Sequence, residues 1–412
     1  MVKPSVICIV SSGQPSANPR LVKEALALFA AGHKVKVIYC PLSIWADPFD
    51  KQLFQSYPGI EWVKVGVHPL EDRWKYRYTR FRQKLFQFLF KLAGDKFNAA
   101  VRSMALFSQE LSGATKKQQA DLYIGHNLGA LPAVVKAARH HGAIAAFDFE
   151  DFHRGEDLEN SPNWKRAKQV EDSYVPSLTF ATAASPLIAR EYQSLYPAIS
   201  ITTINNCFPL SYAVNEPGAL PLAPLKLFWF SQTIGAKRGI ETVIEAMGMI
   251  GDSKIELSLL GNCPVETKDY FLGIMKKNGV DSAQVKFLPV VEEKEIARIA
   301  SMHHIGLACE VPHILNRELC LTNKVFMYLL AGNAIVFSKT RAQAAFLEET
   351  PGIGLAYQPD DASQLSKLLG TYLDDPALLQ QHRIAALKLG IQSLNWDIEK
   401  QSLLRKVGEM LH

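Results

Sequence analysis

The chain has 412 residues, 48% of them hydrophobic and 21% charged. That balance excludes wholesale disorder, a collagen-like repeat and a coiled-coil rod, and it suits about two or three globular domains. Its 45 Lys and Arg against 40 Asp and Glu give a net charge of +5, too mild to imply a nucleic-acid partner by itself.

In chain order, the opening apolar run turns polar at Ser11-Ser12-Gly13-Gln14, too early for a signal peptide or a membrane helix. Runs at 5–10 and 34–40 read as buried strands, and 20–31 between them has apolar residues at helical spacing before Gly32. The pattern returns at 122–125, 143–148, 178–183 and 200–204, with helical stretches between. Residues 215–224, with Pro217, Gly218, Pro221 and Pro224, form the one long non-periodic stretch and read as a linker. Strands are then expected at 226–230, 255–260, 285–288, 305–308, 334–337 and 353–357, with a helix over 239–250. The longest apolar stretch, 325–337, is broken by Gly332 and Asn333, so no membrane span is expected. The tail from 376 to 412 is helical in period and contains Trp396.

This alternation predicts an α/β chain of two Rossmann-like doubly wound domains, 1–214 and 215–390, with 391–412 crossing back to the first. A deep cleft between them, facing the carboxyl ends of both sheets, is the expected ligand site. Cys8, Cys40, Cys207, Cys263, Cys309 and Cys320 stand singly, without CxxC pairs or histidines at zinc spacing. A zinc ribbon is not expected; reduced thiols of a cytoplasmic protein are.

Three loops follow strands where such a fold gathers ligand groups. In Ser11-Ser12-Gly13-Gln14-Pro15-Ser16, Gly13 lets the backbone approach a ligand closely, or simply makes a turn. The loop is not GxGxxG, and no acid ends the second strand, which disfavours a nicotinamide dehydrogenase. In the second loop, Lys237 and Arg238 precede a helix near Gly239; they form a diphosphate clamp or are merely solvated. The third runs from Asn316-Arg317-Glu318 to Gly332. Thr322 or Asn323 as a helix cap explains part of it, but not Asn316, Arg317 and Glu318.

The string Asn323-Lys324-Val325-Phe326-Met327-Tyr328-Leu329-Leu330-Ala331-Gly332-Asn333-Ala334-Ile335-Val336 resembles the N-K-x-F-E-Y-x-A-x-G-x-P-V-V motif of GT-B glycosyltransferases, specifically the large retaining family 4. Residues 230–247 resemble the same family's phosphate-binding element. Asn18-Pro19-Arg20-Leu21, Gly125-His126-Asn127 and Asn206-Cys207-Phe208-Pro209 resemble its amino-terminal domain. The resemblance implies a nucleotide-sugar donor, no metal and no further cofactor, with Gly13, Thr233, Lys237, Arg238, Glu318, Asn323 and Lys324 around the donor. It places Ser12, His126, Asn127 and His153 near the acceptor, and gives Glu150, Asp151 and Arg238 the catalytic roles.

Three departures accompany it. Met327 stands where the family carries a ribose-binding glutamate, with Glu318 as a stand-in. Thr233 replaces an arginine of the phosphate element, whose lysine corresponds to Arg238. Glu150 replaces the sugar-facing histidine, with His153 three positions later. Asp148, Glu150, Asp151, Glu156 and Asp157 make an acidic strand exit, read as sugar or acceptor recognition or as a solvated loop.

The stretch from Arg73 to Lys91 is basic and aromatic without a single acid. It suits an anionic membrane surface or a lipid-linked acceptor, or its aromatics pack inward while the basic stems reach out. The resulting expectation is a glycosyltransferase of polysaccharide or glycoconjugate synthesis, cytoplasmic and peripheral on the inner face of the membrane. A catalytically silent GT-B-like nucleotide- or glycan-binding scaffold is the alternative, and a glycoside hydrolase would leave the clamp without a purpose.

Overall fold

The computed structural model describes residues 4–221, 223–251 and 254–411. Leu222 of the expected linker, the first three residues of the first domain and His412 of the expected terminal segment lie outside the described residues. Two compact units divide the chain: residues up to 204 with 314–316 and those from 400 onward, and residues 205–313 with 317–399.

The first unit is built on seven parallel strands: β1 (Val6–Ser11), β2 (Lys34–Tyr39), β3 (Glu61–Lys64), β4 (Leu122–His126), β5 (Ile144–Phe149), β6 (Phe180–Ala183) and β7 (Ser200–Thr203). Their order is β3-β2-β1-β4-β5-β6-β7. β1, β4 and β5 are near-continuous apolar runs because helices cover both faces, and Ile7, Ile9, Leu122 and Phe147 are fully buried. The pattern reading missed β3. It is an edge strand, and two of its four residues, Glu61 and Lys64, are charged and exposed.

The second unit holds six parallel strands: β8 (Leu225–Thr233), β9 (Ile255–Asn262), β10 (Val285–Leu288), β11 (Ile305–Ala308), β12 (Ala334–Ser338) and β13 (Gly354–Tyr357). Their order is β10-β9-β8-β11-β12-β13. Leu227, Trp229, Leu257, Leu259, Leu307 and Val336 centre its core. Both units are therefore doubly wound α/β sheets of the expected class.

Caps fix where the helices begin. The Asn18 side chain accepts the Leu21 N–H at 3.0 Å, and Pro19 opens the helix Pro19–Ala30; such a cap contributes about 1 kcal/mol. Gly239 precedes Ile240–Ile250 at φ 80°, and a Cβ there would lie 1.9 Å from the Cys309 carbonyl oxygen. No other residue fits that approach.

The single periodic tail resolves into two helices, Pro376–Gln392 and Trp396–Leu411. Asn395 separates them by donating its side-chain amide to the Gly390 and Ile391 carbonyls at 3.0 and 2.9 Å. Within the first unit, the Lys406 ammonium donates to Ser200 Oγ at 3.0 Å and lies 5.9 Å over the Phe180 ring.

Candidate active site

Each sheet reverses its winding between its two central strands. β1 leads to β2 on one side while β4 leads to β5 on the other, and β8 and β11 divide the second sheet in the same way. The loops leaving the carboxyl ends of these four strands flank the crevices where such sheets collect ligands.

In the first unit those loops close over a buried charge network. Arg20 and Glu24, one turn apart on Pro19–Ala30, are only 5% and 4% exposed. Arg20 donates to both Asp148 oxygens, at 2.6 and 2.7 Å, and to the Ile204 carbonyl at 2.7 Å. Thr182 also donates to Asp148. His126, at the end of β4, is fully buried, with Nε2 2.5 Å from Glu24 and Nδ1 2.8 Å from Glu150. Glu150 further receives the side-chain amides of Asn18 and, at 3.4 Å, of Asn127.

The electrostatics follow from this packing. Burial pulls the imidazole pKa down, yet Glu24, Glu150 and Asp148 outweigh it and raise His126 to about 10. Burial likewise favours a neutral Asp148, but Arg20 and His126 hold its carboxyl well below the usual range. Ligand atoms of His126, Asp148 and Glu150 lie within 4.8 Å of one another, a spacing a metal ion could use. Arg20 and Thr182 already occupy Asp148, however, and both imidazole nitrogens face carboxylates. The set is built as ion pairs, and a divalent cation would compete with Arg20 and a charged imidazole for the same oxygens.

Asn127 carries positive φ, 62°, a strained conformation for a residue with a side chain. Its Oδ1 accepts from Ser11 Oγ at 2.9 Å, and Ser11 Oγ in turn accepts the Gly13 N–H at 3.0 Å. Gly13 itself is not forced by sterics: an added Cβ would meet only ordinary contacts, 3.6 Å and beyond. Ser12 is half-buried against Gly129. Gln14 anchors the loop, donating to Asp47 and Asp50 at 3.0 and 2.9 Å.

The acidic strand exit is not one solvated loop. Asn316 donates to Asp151 at 2.7 Å and accepts the Phe152 N–H at 2.8 Å. Burial, with Glu156 and Glu150 nearby, pushes the Asp151 pKa up. His153 is 6% exposed and lies 6.0 Å from the Phe147 ring, with Nδ1 3.5 Å from Glu156. Burial lowers its pKa and Glu156 more than restores it, to about 9. Glu156 is exposed and Asp157 half-buried.

In the second unit the centre is Glu310, two residues beyond β11 and 5% exposed. Lys324 donates to it at 2.7 Å, and Arg317 stands 3.8 Å away. Burial raises the Glu310 pKa, but Lys324, Arg317 and Arg238 together hold it below the ordinary value. Lys324 also lies 5.4 Å over the buried Trp229 ring. Arg238 is half-buried and donates to Ser231 Oγ at 3.3 Å. The Lys237 side chain is exposed, while its backbone, at φ 60°, donates its N–H to Glu241 at 2.6 Å.

Thr233 and Asn323 are exposed, at the end of β8 and the start of the helix Asn323–Ala331. One oxygen of the Glu318 carboxylate accepts the Arg341 N–H at 2.8 Å, at the start of the helix Arg341–Glu349. Met327 is fully buried.

The sequence reading assigned no role to Arg20, Glu24 or Glu310. For the first two a signal was present, since they fall at helical spacing among Leu21, Ala25, Ala27 and Leu28, on a helix whose buried residues also include charged Lys23. Glu310 had only its place just beyond a strand.

No family model and no curated protein matches the chain. Solved structures do. Its fold is that of GT-B glycosyltransferases. Sucrose-phosphate synthase of Thermosynechococcus elongatus superposes with a TM-score of 0.74 at 16% identity, over 98% of each chain. HepE of Anabaena, solved with UDP, gives 0.69 at 14% identity, over 98% of this chain and 99% of that one. TarM of S. aureus, solved with UDP among its ligands, gives 0.67 at 9% identity, over 97% and 99%.

Proposed function

We propose that the chain is a retaining, metal-independent glycosyltransferase that moves a sugar from a nucleoside-diphosphate donor to a glycan or lipid-linked acceptor in polysaccharide or glycoconjugate synthesis. The observation that carries this reading is the gathering of Lys324, Arg317 and Arg238 about the single carboxylate of Glu310. With exposed Lys237, these cations outnumber Glu310 and nearby Glu241, leaving an excess of positive charge at the β8/β11 switch point. The amino ends of Ile240–Ile250 and Asn323–Ala331 add backbone N–H groups of the same sign.

Such a site suits a diphosphate in the ground state and suits it better during transfer. As the glycosidic bond breaks, electron density moves onto the leaving diphosphate and the sugar becomes cation-like. Fixed cations aimed at that oxygen lower the barrier without reorganising. The reading assigns this role to Arg238, with exposed Lys237 beside it; Lys324, held by Glu310, stays in position before any ligand arrives. The UDP and UDP-glucose bound by HepE accord with a nucleotide-sugar donor here. In the other unit, Glu150, held by His126, Asn18 and Asn127, is the carboxylate assigned to acceptor hydroxyls, with Asp151 beside it in sequence.

The burial of Met327, where the resemblance expects a carboxylate, favours one competing reading: a silent nucleotide- or glycan-binding scaffold. Turnover separates the two. The chain, in EDTA, is incubated with a panel of nucleotide sugars and an acceptor glycan or polyprenyl-phosphate sugar, and nucleoside diphosphate release and product anomer are followed by NMR. Stoichiometric release with the donor anomer kept in the product supports the transferase. Nucleotide binding with no release from any donor supports the scaffold.

A further inference from the structure

We propose that the helix Arg73–Ala93 is a docking surface for an anionic lipid bilayer, lying along the surface rather than crossing it. The inference is independent of the sugar-transfer reading, because none of its residues belongs to either loop cluster.

Six large apolar side chains on this helix face outward: Trp74, Tyr78, Phe81, Leu85, Phe88 and Leu92 are 82, 63, 65, 41, 57 and 68% exposed. Their spacing is four, three, four, three and four residues. At 3.6 residues per turn they fall within an arc of about 80°, a single stripe along a helix about 30 Å long. The opposite face is the one that meets the domain. There Thr79 is 1% exposed, Gln83 donates to the Ser103 carbonyl at 3.2 Å, and Arg102 lies 4.9 Å over the Phe86 ring. The aromatics thus divide between two faces, and the outer stripe is a contiguous apolar surface of the kind that marks an interaction site.

Charge identifies the occupant. Arg73, Arg77, Arg80, Lys84 and Lys91 run along one flank of the stripe, and Lys75 and Arg82 along the other, with no acid in the helix. Among these cations Arg82 is held by Glu110 at 2.6 Å. A second copy of the chain on this stripe would set cations against cations. Anionic headgroups instead surround an inserted apolar stripe with opposite charge on both sides, and Trp, Tyr and Phe suit the depth between headgroup and acyl chain. Among the described residues no helix is long and apolar enough to cross a membrane.

The test is flotation of the full chain with phosphatidylcholine vesicles, with and without phosphatidylglycerol. We expect co-flotation only with phosphatidylglycerol, released at high salt. It should be lost in Phe81→Ser/Leu85→Ser/Phe88→Ser and in Arg77→Glu/Arg80→Glu/Lys84→Glu, both with a native circular dichroism spectrum and thermal midpoint. An unbound native chain, or variants that float as the native chain does, would overturn the proposal. So would lipid-free self-association in sedimentation velocity that the serine variant abolishes, which would give the stripe to a second copy.

Discussion

Arg20 and Asp148 meet in a double hydrogen bond, Nε to Oδ2 at 2.6 Å and Nη2 to Oδ1 at 2.7 Å, with both side chains buried. The pair joins the first helix of the amino-terminal unit to the end of β5, beside the residues that hold Glu150. Removing one partner leaves the other charge buried and uncompensated. Arg20→Ala is therefore predicted to lower unfolding stability by about 3–5 kcal/mol, read from urea denaturation. The double variant Arg20→Met/Asp148→Leu should recover most of that loss, because both desolvated charges leave together. A double variant no more stable than Arg20→Ala would mean that packing, not charge, sets the cost.

His126 predicts a pH dependence with a definite sign. Its folded pKa, about 10, lies above the unfolded value of about 6.5. Its contribution is therefore complete below the unfolded value and is lost as pH rises through the folded one. Asp148 runs the other way, being held below its ordinary value. Its contribution is complete above about pH 4 and is lost as pH falls through the lowered pKa. Urea titrations between about pH 6 and 9 should show the native chain losing stability with rising pH. His126→Asn should reduce that slope, leaving the share of His153, whose pKa is also raised, to about 9; an unchanged slope would assign the titration to another group.

Gly239 sits where backbone conformation and space both forbid a side chain. With φ at 80° and an added Cβ 1.9 Å from the Cys309 carbonyl oxygen, Gly239→Ala must move the loop that carries Arg238. The predicted loss is at least about 2 kcal/mol, with weaker nucleotide binding in whatever fraction remains folded. Gly13→Ala, which meets no atom closer than 3.6 Å, is the control and should stay within about 1 kcal/mol of the native chain.

Much of this fold was legible in the alternation of apolar runs and helical stripes, because strands covered on both faces admit little but apolar residues. β3 was not, since an edge strand tolerates Glu61 and Lys64. The loops at the two switch points could be located from the same pattern, but not the pairings that give them their properties. Arg20–Asp148 and Glu24–His126 join residues more than a hundred positions apart. The sequence does not show that one oxygen of Glu318 accepts an N–H at the start of a nearby helix. Glu310, just past a strand in an unremarked position, holds the cations. Long-range charge pairing has no period, and so leaves no trace in the spacing of one chain.

Equilibrium binding of nucleoside diphosphates tests the central claim most directly. Thermal shift with UDP, GDP and ADP, followed by calorimetry of any that respond, should find one that stabilises the native chain, by about 2.7 kcal/mol at a hundredfold excess over Kd. Arg238→Ala, a half-buried side chain whose loss opens no core, should keep its unliganded midpoint and lose that shift. A chain that responds to no nucleotide, or an Arg238→Ala variant that binds as tightly as the native one, would contradict the placement of a donor diphosphate at the β8/β11 switch point.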